Sequence, residues 1–248
     1  MRDRQMHTYI RQGVLYQQHG SNIMKNIRLI EVKEGILSDN ERLADELRKQ
    51  LAKEKTFLLN LMASPGAGKT SLILKTIDAL KDDLRIAVIE ADIDSIVDSE
   101  KVAAVGIPAV QLRTGGFCHL DASMVKKGLD TMDLNAFDLI FIENVGNLVC
   151  PAEFDTGAVK NAMILSVPEG DDKPLKYPLM FTVCDVLIVN KMDFLELTDF
   201  DMQKLRERVM ILNPEIRIIE VSCRAGHGID IWADWLRNEV KAFTGNGN

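Results

Sequence analysis

Between Ala63 and Thr70 the chain reads Ala63-Ser64-Pro65-Gly66-Ala67-Gly68-Lys69-Thr70. Residues of these types at this spacing hold a polyphosphate. The backbone of Pro65, Gly66, Ala67 and Gly68, continued by Lys69, Thr70 and Ser71, can wrap phosphates with its N–H groups and with the positive end of a helix. Gly68 lets the backbone come close. Lys69 sets a positive charge against the terminal phosphates, and the Thr70 hydroxyl can coordinate Mg²⁺. The apolar run Phe57–Met62 precedes this loop and a helical pattern follows it, which is the context such a loop requires. Ala63 stands where the first glycine usually is, so the turn has to form with Ala63 at negative φ.

A second segment, Asn190-Lys191-Met192-Asp193, selects the base. The Asp193 carboxylate can accept hydrogen bonds from the N1–H and 2-amino groups of guanine. Adenine offers neither, and a polar site left without its partner discriminates strongly. The Lys191 stem can pack over the base, and Asn190 can hold neighbouring loops together. Ser222-Cys223-Arg224 follows a later strand, where GTPases place a backbone contact to the base.

Hydrolysis needs Mg²⁺ and a responsive loop. Asp138–Glu143 is an apolar strand ending in a carboxylate, with Gly146 three residues on. Glu143 can hold Mg²⁺ directly or through water, and the Gly146 N–H can meet the γ-phosphate. Asn147 sits where many GTPases carry a water-orienting Gln, but Asn is shorter and receives no such role. Asp92, after another strand, is the candidate for a Mg²⁺-linked or water-positioning carboxylate. Asp94, Ser95 and Asp98 beside it also suit the capping of the next helix.

Cys118-His119 and Cys150 form a third group. Thiolate and imidazole suit Zn²⁺, Ni²⁺ or copper ions and not Mg²⁺. Three ligands leave a tetrahedral site one short, which fits transient holding better than structural locking. By spacing alone a Cys-His pair and a distant Cys are weak as a metal signature, and unconnected structural side chains are the commoner case. Cys184 and Cys223 read as small buried residues.

These residues need a scaffold, and the patterning supplies one. Predicted strands cover Thr56–Met62, Arg85–Glu90, Pro108–Leu112, Asp138–Glu143, Ala162–Val167, Val186–Asn190 and Ile216–Val221. Predicted helices cover Lys69–Leu80, Ser95–Val105, Ala122–Leu134, Asp199–Leu212 and Ile229–Phe243. Ser38-Asp39-Asn40-Glu41 has the form of a capping box opening a helix through Lys53. The alternation of apolar strands and helices predicts an α/β fold, a mostly parallel sheet flanked by helices. Lys69, Asp92, Glu143 and Asn190 all fall just beyond strand carboxyl ends, where such sheets bind ligands. Residues 1–37 are weakly patterned and read as an arm, with residues 38–248 as the nucleotide-binding domain.

Composition narrows the classes. The 248 residues are 46% hydrophobic and 27% charged, ordinary for a globular domain. A net charge of −7 argues against a general nucleic-acid binder. No apolar run reaches membrane-span length and the start lacks a secretory pattern. Four cysteines suggest no disulfide framework, so a reducing, cytoplasmic setting is expected.

Over residues 56–240 the chain resembles the HypB family, the GTPases that help insert nickel into nickel–iron hydrogenases. The resemblance is carried by Ser64–Thr70, Cys118-His119-Leu120-Asp121-Ala122, Glu143-Asn144-Val145-Gly146-Asn147-Leu148-Val149-Cys150-Pro151, the stretch Glu169–Pro178, and Asn190–Asp193. It implies a P-loop GTPase fold related to the MinD-like dimerising group. It implies slow hydrolysis of GTP to GDP and phosphate, and Ni²⁺ or Zn²⁺ held by Cys118, His119 and Cys150 near a dimer interface. It also implies a homodimer favoured by GTP, and a nickel accessory protein and a hydrogenase large-subunit precursor as partners. Lys173 or Lys176 would reach towards the partner subunit's nucleotide. The arm has no cysteine, so the second N-terminal nickel site of some members is not expected. Ala63 and Ala91 replace small glycine positions. The nearest rivals are the urease nickel GTPases, whose metal motif is Cys-Pro-His, a nickel or zinc carrier for another nickel enzyme such as urease, and a MinD-like ATPase, which Asn190–Asp193 disfavours.

Overall fold

The structure is a computed structural model that describes residues 32–92 and 97–245. The chain divides into two compact units, Met1–Asp39 and Asn40–Asn248. The sheet and every candidate site residue belong to the second. His7 and His19 and nearly all of the expected arm lie outside the described residues. So do Asp94 and Ser95, and Asp98 is described in its backbone only.

In chain order the elements are α1 (Val32–Glu54), β1 (Phe57–Ala63), α2 (Lys69–Leu80), β2 (Ile86–Asp92), α3 (Val97–Ala104), β3 (Ala109–Arg113), α4 (Ala122–Leu129) and β4 (Leu139–Glu143). They continue with α5 (Cys150–Glu153), β5 (Lys160–Ser166), α6 (Lys173–Lys176), α7 (Pro178–Thr182), β6 (Val186–Asn190), α8 (Met202–Leu212), β7 (Arg217–Glu220) and α9 (Ile229–Thr244). Among the described residues the seven strands form one sheet in the order β3-β2-β4-β1-β5-β6-β7. Every pairing is parallel. All carboxyl ends therefore share one edge, and the loops there carry the candidate site.

The apolar strand runs dictate this burial. β1, β4 and β6 are buried along their whole length, as a parallel sheet covered on both faces requires. Successive side chains alternate between faces. Phe57, Leu59 and Leu61 pack with Leu72, Ile73 and Ile77 of α2 and Trp232, Leu236 and Val240 of α9. Leu58, Ile140 and Ile142 pack on the other face, against Ala44, Leu47 and Leu51 of α1 and Val125 and Leu129 of α4. A third cluster joins Met163, Leu165, Leu187 and Val189 to Met180, Phe181, Leu205 and Val209. The buried Trp232 indole N–H donates to Thr76 Oγ1 at 2.8 Å, which ties α9 to α2 without leaving a polar group stranded.

Three sequence expectations change. The helix read as opening at Ser38 is already formed at Val32, so Ser38 lies inside α1 and not at its N-cap. The expected helix Ala122–Leu134 stops at Leu129. There Thr131 folds back, its N–H and its hydroxyl both donating to the Gly128 carbonyl, and a short 3₁₀ turn takes Leu134–Ala136. The helix read from Asp199 starts at Met202, because the Asp201 carboxylate caps it by accepting from the N–H groups of Gln203 and Lys204. Among the described residues no helix is long and apolar enough to cross a membrane.

Candidate nucleotide and metal site

Ala63 ends β1 in extended backbone, so the glycine usual at that position is not needed. Gly66 and Gly68 then take left-handed backbone, at φ 76° and 108°. Gly68 is the N-cap of α2, with no side chain capping the helix. The first turn of α2, which begins with Lys69, Thr70 and Ser71, also lacks acidic residues and so keeps its positive end for an anion. A Cβ on Gly68 would stand 2.4 Å from Asn190 Nδ2, so both conformation and space demand glycine there. The Ser64 hydroxyl donates to Glu169, whose other oxygen accepts from the Ser166 N–H at 2.8 Å and hydroxyl at 2.6 Å. Glu169 thus pins the start of the loop to the end of β5. It lay inside a segment quoted from the sequence, but only the fold shows its task.

The segment after β6 is built onto the same loop. Asn190, 1% exposed, donates from Nδ2 to the Ala67 carbonyl at 2.9 Å and accepts the Cys223 N–H at 3.2 Å. This is the loop-holding role read from its position. Lys191 has φ 61° and its Nζ donates to the Gly66 carbonyl at 2.8 Å. Asp193 is exposed, and its carboxylate accepts from the Ser222 hydroxyl at 2.6 Å. Ser222 is thereby an orienting residue for Asp193, a side-chain role that strand position alone did not suggest. Arg224 is exposed in the following turn.

Thr70 and Glu143 meet. The Thr70 hydroxyl donates to Glu143 Oε1 at 2.8 Å, with Glu143 only 2% exposed at the end of β4. Two hard oxygens this close to the phosphate loop fit Mg²⁺. Asp92 ends β2, the neighbour of β4, two residues beyond Glu90, which pairs opposite Glu143. Gly146 lies against the phosphate loop: a Cβ there would stand 3.0–3.2 Å from Pro65. Asn147 bonds the end of β1 through its N–H, which donates to the Ala63 carbonyl at 2.9 Å.

Cys118, His119 and Cys150 converge, with one ligand atom from each lying within 4.8 Å of the others. The two sulfurs are 3.0 Å apart and both cysteines are free thiols. The His119 ring stacks on Phe154 at 3.8 Å between centroids and meets the edge of Phe117 at 6.1 Å. Its Nδ1 is buried without a hydrogen-bond partner. A buried nitrogen and two touching thiols form a soft donor set that fits Ni²⁺ or Zn²⁺. Burial lowers the His119 pKa below its ordinary value, which favours the neutral, ligating imidazole. The neighbouring Cys118 thiol, then burial, raise that of Cys150.

A pH dependence follows from these directions. In the metal-free protein at pH 7, Cys150 carries its proton and His119 does not. A metal ion must displace the thiol proton, so affinity rises with pH. Titrations between pH 6 and 8 are expected to show at least one proton released per ion, an affinity gain of about tenfold or more per pH unit. A flat profile would exclude Cys150 as a ligand.

Helix α1 braces both segments that carry the Cys/His cluster. Asn40 Oδ1 accepts the Ala122 N–H and Asn40 Nδ2 donates to the Asp155 carbonyl, each at 2.8 Å. Arg48 forks onto the Asp155 carboxylate at 2.5 and 2.6 Å and donates from Nε to the Ala158 carbonyl. Phe154 and Asp155 carry no motif that would have revealed them, and Asn40 lies in the capping-box pattern without being one of its capping residues. In the basic segment, Lys176 pairs with Asp172 at 2.5 Å and Lys173 lies 5.7 Å from the centre of the Tyr177 ring.

The family model described as the CobW/HypB/UreG nucleotide-binding domain matches residues 57–220. The hydrogenase maturation factor HypB of Escherichia coli K12 is 44% identical over 216 residues, covering 87% of this chain and 74% of the relative. The crystal structure of HypB from Helicobacter pylori in complex with nickel superposes with a TM-score of 0.78 at 36% identity, over 82% of this chain and 96% of that one. HypB from Archaeoglobus fulgidus gives 0.77 at 38%, over 82% and 100%. The matched region holds the phosphate loop, the Cys/His cluster and Asn190–Asp193, and the chain belongs to the HypB hydrogenase maturation factors of the CobW/HypB/UreG family.

Proposed function

We propose that this chain is a GTP-hydrolysing metallochaperone that carries nickel to nickel–iron hydrogenase, with its metal site gated by the nucleotide. The observation that carries this reading is one continuous segment. Gly146 rests on Pro65 of the phosphate loop, and four residues later Cys150 lies against Cys118.

In this reading Pro65–Ser71 wrap the phosphates of GTP and Lys69 neutralises the terminal ones. Asp193, oriented by Ser222, accepts the two donors of guanine, and Lys191 and Arg224 flank the base. Thr70, Glu143 and Asp92 would hold Mg²⁺, which would supply charge neutralisation to the phosphates. The Gly146 N–H meets the γ-phosphate and withdraws when that group leaves. Cys118, His119 and Cys150 hold one nickel ion as cargo, or zinc in its place. Similarity to the nickel-bound Helicobacter pylori protein supports that assignment. GTP favours a homodimer, and hydrolysis is slow enough to time handover between a nickel accessory protein and a hydrogenase large-subunit precursor in the cytoplasm.

The test is a transfer assay. Nickel-loaded protein with GTP is expected to mature an apo-hydrogenase large subunit. A Lys69→Ala variant, still holding nickel but without the phosphate-binding charge, is expected to lose most of that transfer. Equal maturation by both proteins would remove the GTP cycle from the function.

A further inference from the structure

We propose that Asn144 and Asn147 are the positioning residues that couple the nucleotide to the metal cluster. The inference rests on the functional reading above and names the side chains through which its gating acts.

Asn144 follows Glu143 and is 1% exposed. Its Nδ2 donates to Asn60 Oδ1 at 3.0 Å, and Asn60 Nδ2 donates to Asn161 Oδ1 at 3.0 Å. The amide is therefore anchored across β1 and β5. Its oxygen accepts the Val145 N–H at 2.9 Å and the Leu120 N–H at 3.3 Å. Leu120 is the residue after His119, so this bond holds the loop carrying Cys118 and His119 to the end of β4.

Asn147 reaches three places. Its backbone N–H donates to Ala63, the residue before the phosphate loop. Its Oδ1 accepts the Val149 N–H at 2.9 Å, next to Cys150. Its Nδ2 donates to the Cys118 carbonyl at 3.4 Å. The side chain is thus turned to the metal-bearing backbone, and this explains why a short amide stands where a water-orienting Gln is common. Gly146, between the two asparagines, is packed on Pro65. A displacement at the γ-phosphate that moves Gly146 moves both amides, and through them the spacing of Cys118-His119 and Cys150. Asn144 is buried and Asn147 half-buried, and a connected network of amides in such surroundings holds its members rigidly together, so that a shift at one end is passed to the other.

A merely structural asparagine would weaken metal binding equally in every nucleotide state. The measurement is therefore the ratio of Ni²⁺ affinities in a non-hydrolysable GTP analogue and in GDP. Wild-type protein is expected to give a ratio within the range of about 5- to 150-fold common for linked sites. Asn147→Ala is expected to bring the ratio to within about twofold of one. Asn40→Ala serves as the contrast. Asn40 holds the same two metal segments, but to α1 and not to the phosphate loop. It is expected to lower Ni²⁺ affinity in both states and leave the ratio near the wild-type value. If Asn147→Ala does not fold, Asn147→Asp keeps the acceptor for Val149, loses the amide donor to Cys118 and beside Cys150, and adds a carboxylate whose charge acts in both nucleotide states. A ratio near one in that variant supports the proposal. A wild-type ratio in either Asn147 variant overturns the proposal and leaves the functional reading standing. A ratio of one in the wild type itself overturns the functional reading, and the proposal with it.

Discussion

An Asp193→Asn variant is expected to lose guanine nucleotide affinity by about 10³-fold and to prefer xanthine nucleotides instead. The proposed carboxylate accepts two donors, from N1–H and the 2-amino group. Asparagine offers one acceptor and one donor. Its amide N–H₂ would face the 2-amino group of guanine, leaving two donors opposed in a site shaped for a pair. Unmet polar groups in such sites discriminate by several orders of magnitude. Xanthine carries an oxygen at that position, and the same amide then finds an acceptor. The Ser222 hydroxyl, 2.6 Å from Asp193 Oδ1, can keep its bond to an amide oxygen, so the side chain stays in place and only its chemistry changes. Competition between GDP and xanthosine diphosphate for a fluorescent guanine nucleotide reads the switch. A variant that still prefers GDP would move base recognition away from Asp193.

A Cys118→Ala variant is expected to lose Ni²⁺ and Zn²⁺ affinity by at least about 100-fold, beyond the 10- to 100-fold usual for residues that only support a ligand. It removes one of three donors from a cluster whose two sulfurs touch. Among the described residues no further His, Cys, Asp or Glu joins the three within ligating distance to replace it. Sulfur-to-nickel charge-transfer absorption should fall with it, while GDP affinity stays within a few-fold of wild type. Retained one-to-one binding would assign the ions to another site.

The sites differ in how far the sequence alone reveals them, and the difference is physical. The phosphate loop is contiguous, so its chemistry and its strand–loop–helix setting are written side by side. The strand runs are equally plain, because burial on both faces of a parallel sheet favours apolar residues at nearly every position. Asn190 and Ala67 are also readable as motif members, but the bond between them spans 123 positions and exists only in the fold. The meeting of Cys118 and Cys150 is of that kind too. Spacing favours two unconnected cysteines, but Cys118 follows β3 and Cys150 follows β4, strands separated in the parallel sheet only by β2. Asn60 and Phe154 stand alone, and a lone amide or ring has no pattern, while Asn40 and Asn144 lie inside patterned segments whose pattern does not show their tasks. Ser38 shows the opposite case, a capping pattern that matches in type although α1 already runs through it from Val32.

Gating of a nickel site by GTP is the centre of this account. It is tested most directly by titrating Ni²⁺ into wild-type protein saturated first with GDP and then with a non-hydrolysable GTP analogue, both with Mg²⁺, and by repeating the cycle with nucleotide as the titrant. One ion per chain is expected in both states, with affinities that differ by about fivefold or more, and the same factor when the order is reversed. One ion bound with equal affinity in both states would contradict it. The chain would then bind nucleotide and metal at neighbouring but independent sites.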